Sequence, residues 1–148
     1  MDFNKILERF NQTYSFKSDV VENSADLLRM QAVVTAPKIF KNPVLLQIFV
    51  RPDGSTHMLF TFDKCEKTLD NYNLVNEFNA NSPLFTGYII DRGNGVDSFE
   101  LHTANICMTE NDVNNYLDYI LQGYINSDIV KKYLAPIVEL VENNETAN

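Results

Sequence analysis

The hydrophobic period of the chain changes in a fixed order, and that order constrains the fold more than any single residue does. Phe3, Ile6, Leu7 and Phe10 recur at i, i+3, i+4 and i+7, the stripe of an amphipathic helix. The period then becomes two. Leu28, Met30, Ala32 and Val34 alternate with Leu27, Arg29, Gln31 and Val33, which predicts a half-buried strand. Between these two elements residues 11–26 are polar and broken and read as loop, with a short strand near Tyr14–Phe16.

Pro37 and Pro43 bracket a connecting loop. Pro52-Asp53-Gly54 then turns a hairpin of residues 44–50 with 56–62, because proline presets φ and glycine supplies positive φ. Thr68 can cap a helix carrying Leu69, Tyr72, Val75 and Phe78, which Asn79 and Asn81-Ser82-Pro83 end. A strand over 84–91 and its partner over about 96–106 flank Asn94-Gly95, a short-hairpin pair. Thr109 opens the best-patterned helix, from Val113 to Tyr124, with its hydroxyl placed to accept the amide proton of Asp112. A last helix is expected from Ser127 past Pro136 into Val141.

The fold class that follows is α+β. It is a single domain over residues 1–142 with a polar tail over 143–148. A twisted, mainly antiparallel sheet of about five strands lies in the order α-β-β-β-α-β-β-α(-α). A chain of 148 residues buries roughly two-thirds of its unfolded surface, enough for one self-sufficient core.

Strand parity divides the sheet into two unlike faces. One collects Leu28, Met30, Ala32, Val34, Leu46, Ile48, Val50, Met58, Phe60, Phe62, Phe85, Ile89, Phe99 and Leu101, with no polar member, so helices must cover it. The other mixes Arg29, Gln31, Gln47, Thr61, Thr86, Glu100 and His102 with Leu45, Phe49, Leu59, Tyr88 and Ile90. Those five apolar side chains either form a patch that binds a partner chain or a second copy, or lie under a helix or the 11–26 segment.

Charge is as uneven as hydropathy. Residues 1–74 carry nine acidic and nine basic side chains, so the whole net charge of −8 lies in residues 75–148. Such a field repels nucleic-acid phosphates and anionic membranes and favours a basic partner, although acidity for solubility accounts for it equally simply. The N-terminus has neither the basic nor the apolar segment of a signal peptide, and no run approaches the length of a membrane span. With only Cys65 and Cys107, both in apolar stretches, a reduced cytoplasmic protein is expected.

Chemistry-bearing patterns are weak. His57 and His102 are the only histidines; His102 and Cys107 fall on opposite faces of one strand, and His57 and Cys65 stand far apart, so no nucleophile–base pair emerges. Two His and two Cys have the right donors for zinc but not the paired spacing. Asp91-Arg92-Gly93-Asn94-Gly95-Val96-Asp97 has no downstream bidentate glutamate for an EF-hand, and its glycines neither continue into Lys-Ser/Thr nor open a helix. No catalytic residue, metal or cofactor is assigned.

The run Leu74-Val75-Asn76-Glu77-Phe78-Asn79, a strand holding Tyr88, a turn, a second strand and the Thr109-capped helix together resemble the YbjN family over roughly residues 27–125. Phe78 stands where that family more often has Trp, and Ala80-Asn81-Ser82-Pro83 replaces its charged residues. The resemblance implies a fold similar to type III secretion chaperones: a twisted antiparallel sheet carrying helices, frequently dimeric, acidic and without catalytic residues. Such chaperones bind extended partner segments on apolar patches. The likeness makes Asn79 the structural asparagine of the helix-to-strand turn.

The expected function is therefore a non-enzymatic, chaperone- or regulator-like protein-binding module, acting as a homodimer. Contact would run through Leu45, Phe49, Leu59, Tyr88 and Ile90, or through the helix around residues 69–78, which carries Tyr72. An acidic decoy or inhibitor, of viral origin for instance, that occupies a basic nucleic-acid-binding site is the alternative, with Glu110, Asp112 and Asp118 as its contacts. A small-molecule or enzymatic cleft is the third.

Overall fold

The computed structural model describes residues 1–34, 40–63, 65–93 and 97–141. The expected Asn94-Gly95 turn and the 143–148 tail lie outside the described residues. The elements are α1 (Phe3–Thr13), β1 (Lys17–Asn23), β2 (Leu28–Val34), β3 (Val44–Val50), β4 (Ser55–Asp63), α2 (Leu69–Asn81), β5 (Thr86–Ile90), β6 (Ser98–Ile106), α3 (Glu110–Asp118) and α4 (Asp128–Leu134). A π turn (Tyr119–Gly123) and a 3-10 turn (Tyr124–Asn126) join α3 to α4, where the periodicity predicts one continuous helix to Tyr124.

The strands form one antiparallel sheet in the order β1-β2-β3-β4-β6-β5. The architecture is the expected α+β one with one strand more. The extra strand, β1, comes from the stretch read as loop, and it lies just after the Tyr14–Phe16 position expected for a short strand. Its sequence, Lys-Ser-Asp-Val-Val-Glu-Asn, has no alternation because an edge strand with both faces largely in water needs none. Residues 17–23 therefore extend the sheet sideways and do not cover its open face.

The parity assignment of the apolar face is observed throughout. Leu28, Leu46, Val50, Met58, Phe60, Phe99 and Leu101 are completely sealed from solvent, and Ile89 is the one partly buried member. Each large side chain buried here contributes about 1.5–3 kcal/mol relative to its exposed state. All four helices lie on this side. Phe78 of α2 meets Phe99 edge-on, the Tyr116 phenol of α3 pairs with the Thr103 hydroxyl at 2.7 Å, α1 packs along α3, and α4 packs along α2.

Local chemistry fixes the helix ends. Thr68 Oγ1 accepts the Asn71 amide at 3.1 Å. At α3 the capping box is complete: Thr109 Oγ1 accepts the Asp112 amide at 3.1 Å, and Asp112 Oδ2 accepts the Thr109 amide at 3.0 Å. The last helix is shorter than the pattern predicts. It stops at Leu134 with Ala135 as cap, because Pro136 has no amide to donate and restrains the residue before it. The apolar residues beyond follow a turn instead, and Leu140 bridges to Phe40.

Helix α2 buries half of its expected stripe. Val75 and Phe78 enter the core, while Leu69 (75% exposed) and Tyr72 (43% exposed) stay in solvent. Asn79, at its end, reaches across to the edge strand β5. Its Nδ2 donates to the Gly87 carbonyl at 2.8 Å and its Oδ1 accepts the Gly87 amide at 2.7 Å.

Candidate functional site: the open face of the sheet

With the described helices on one side, the other face of the sheet is the candidate site. Three rows of ladder partners cross it. Val33, Leu45, Thr61, Glu100 and Tyr88 form one, and Gln31, Gln47, Leu59, His102 and Thr86 the next. The third is Arg29, Phe49, His57 and Ala104. Leu45 is 37% exposed, and Phe49, Leu59, Tyr88 and Ile90 are half-buried.

The five apolar residues thus share a face, but they do not form one unbroken patch. Leu45, Phe49 and Leu59 sit diagonally around Gln47, whereas Tyr88 and Ile90 lie on β5 behind Thr61, Glu100 and Ser98. Parity alone reports which side a residue takes; the β4–β6 pairing, distant in sequence, decides its neighbours. Tyr72, the sixth candidate contact, is on α2 and so belongs to the helical side, across the sheet from the other five.

The polar strip between the two clusters is closely bonded. Glu100, nearly buried, accepts from Thr61 Oγ1 at 3.3 Å and from the Tyr88 phenol, and Arg92 Nη2 stands 3.9 Å from its Oε1. Burial first, and then the carboxylate beside it, push the Tyr88 phenol up to about 12. Arg92 Nε also donates to Ser98 Oγ at 3.1 Å. A shallow depression of about 510 Å³ beside this strip is lined by Val33, Leu45, Thr61, Asp63, Arg92 and Ser98, among others. Arg29 Nη2 donates to Gln47 Oε1 at 2.7 Å while its guanidinium lies 5.3 Å from the centre of the Phe49 ring.

One contact on this face escapes sequence reasoning. His57 Nδ1 and His102 Nε2 meet at 2.9 Å, with the two rings within 11° of a common orientation. Both histidines have the parity of the open face, but only the β4–β6 register, Leu59 opposite His102 and His57 opposite Ala104, brings them together. Burial holds the His102 imidazole below its ordinary range, the neighbouring His57 adds to this, and Glu100 opposes it.

Cys65 and Cys107 are buried free thiols, both pushed up by desolvation, which disfavours the thiolate. Among the described residues no three or more His, Cys, Asp or Glu side chains are grouped as metal ligands, and no helix is long and apolar enough to cross a membrane. The three acids of the decoy reading are tied into the fold. Glu110 Oε1 accepts the Asp2 amide at 2.6 Å, Asp112 completes the cap, and Asp118 takes Arg9 at 3.0 Å and the Tyr14 phenol at 2.7 Å.

No protein-family model and no curated protein sequence matches the chain. Among solved structures the chain is similar to the crystal structure of YbjN from E. coli, a candidate transcription regulator, with a TM-score of 0.55 at 9% identity. That similarity covers 96% of this chain and 97% of YbjN, well beyond the 27–125 region that carries the sequence resemblance. This six-stranded antiparallel sheet with its helices gathered on one side is therefore the YbjN fold.

Proposed function

We propose that the protein is a non-enzymatic, cytoplasmic protein-binding module of the chaperone or regulator kind, that it acts as a homodimer, and that the open sheet face makes the contact. The observation that carries this reading is the contrast between the two faces. One is sealed by four helices, whereas the other leaves Leu45 exposed and Phe49, Leu59, Tyr88 and Ile90 half-exposed around hydrogen-bonded polar groups. Apolar side chains interleaved with hydrogen-bonded polar groups match the mixed composition of a non-obligate docking surface. The fold shared with YbjN, itself a candidate transcription regulator, favours a regulator-like role. The net charge of −8 favours a basic protein over nucleic acid as any further partner. The decoy reading is less favoured, since the acids it needs already serve as caps and ion-pair partners.

Sedimentation equilibrium at micromolar concentration tests the reading. The wild type is expected as a dimer, Phe49→Asp as a folded monomer, and Tyr72→Asp, on the helical side, as a dimer. A monomeric wild type refutes the homodimer. Dissociation by Tyr72→Asp but not by Phe49→Asp moves the contact to α2.

A further inference from the structure

The His57–His102 contact has a geometry that fixes how it holds protons. The ring centres are 5.2 Å apart while the nitrogens are 2.9 Å apart. For two five-membered rings that is essentially the greatest centre separation such a nitrogen contact allows. The rings therefore lie end to end in nearly one plane, with an N–H aimed along the other ring's lone pair, and they are not stacked face to face. The same collinearity leaves no room for a metal ion between the two nitrogens.

A collinear N–H···N bond contains one proton. Because His57 enters through Nδ1 and His102 through Nε2, the neutral pair has only two forms: both rings protonated at Nδ1, or both at Nε2. One further proton can be taken on an outer nitrogen with the bond intact. A second places N–H against N–H, so the bond breaks and two like charges face each other.

We propose that this pair is a proton-sensitive latch on the docking face: neutral and hydrogen-bonded, it lets a second copy cover the face, and protonation disfavours the covered state. The proposal rests on the docking reading above. His57 lies between Phe49 and Ala104 and His102 between Leu59 and Thr86, so any chain that covers the apolar anchors also covers the imidazoles. Covering a charged imidazole removes its water, so docking excludes protons and weakens as pH falls. Of the charged groups around the pair, Glu100 on β6 draws protons to it, and Arg29 on β2 lies over the Phe49 ring. Tyr88 on β5 stays neutral near pH 7 and contributes no charge. On β3 the register places Phe49 opposite His57 and Gln47 opposite Leu59, and neither carries a charge.

Two measurements on the full chain between pH 8 and 5 test this together: ¹⁵N NMR of the two imidazoles, and sedimentation equilibrium. At pH 8 both rings are expected in the same tautomer, with His102 titrating below the ordinary histidine range. Self-association should weaken by up to about tenfold per pH unit for each proton excluded. His102→Gln, which cannot titrate, should flatten that profile. Unlike or freely mixed tautomers, or two independent ordinary titrations, overturn the latch even when the dimer forms. A dimer with a flat wild-type pH profile overturns it as well. A monomer at every pH with the tautomer signature intact overturns the docking reading first, and the latch with it.

Discussion

Replacing Asn79 with alanine isolates the contact between α2 and the edge strand β5. The asparagine side chain acts there as a short piece of strand, giving Gly87 one donor and one acceptor at 2.8 and 2.7 Å. At about 0.5–1.5 kcal/mol net for each hydrogen bond, Asn79→Ala should cost about 1–3 kcal/mol. Gly87 itself is buried, so its freed amide and carbonyl are poorly placed to find water and the upper part of that range is expected. Asn79→Asp should fare no better. It keeps the acceptor for the Gly87 amide but sets a second carboxylate oxygen against the Gly87 carbonyl. Urea unfolding followed by circular dichroism gives the free energy, with an unchanged slope expected because the core is untouched. A midpoint temperature lower by about 2–4 °C per kcal/mol should accompany it. Hydrogen exchange locates the effect, since the Gly87 amide should lose protection ahead of its neighbours. If Asn79→Ala unfolds within about 0.5 kcal/mol of wild type and the Gly87 amide stays protected, the pairing is not what holds the strand edge.

Two further perturbations follow from other contacts. Gly54 has φ of +92° and a Cβ there would stand 2.6 Å from the Cys107 carbonyl oxygen, so Gly54→Ala should destabilise by at least about 1–2 kcal/mol in the same unfolding assay. The Tyr88 phenol, at about 12, should ionise after an ordinary tyrosine in a spectrophotometric titration, and Glu100→Gln should bring it down part of the way. Because its folded value lies above the unfolded one, the stability it contributes is intact below pH 10 and declines from there through pH 12.

The features that repeat were legible in the sequence, and those that depend on distant pairing were not. Leu28 to Val34, Leu46 to Val50 and Met58 to Phe62 alternate because one side of each strand is buried, so parity assigned their faces correctly. Thr109 and Asp112 are three residues apart, and their reciprocal cap follows from local chemistry. Strand β1 left no such trace, since water meets most of its side chains on both faces. The apolar spacing after Ser127 continues past Pro136 and predicts a longer helix than the backbone can form. The His57–His102 pair and the polar strip around Glu100 needed the β4–β6 register, which spans more than forty residues and leaves no local pattern. Residues sharing a side were therefore known, but their contacts were not.

The two ends of the ladder are closed by different means, and this governs how crowded copies of the chain behave. At β1 a bulge between Val20 and Glu22 breaks the register, and Lys17, Asp19 and Glu22 place charge along the margin. At β5 the Asn79 amide already occupies the outward hydrogen-bonding groups of Gly87. Neither margin offers an incoming strand a straight, vacant template, so open-ended stacking into fibres is discouraged on both flanks.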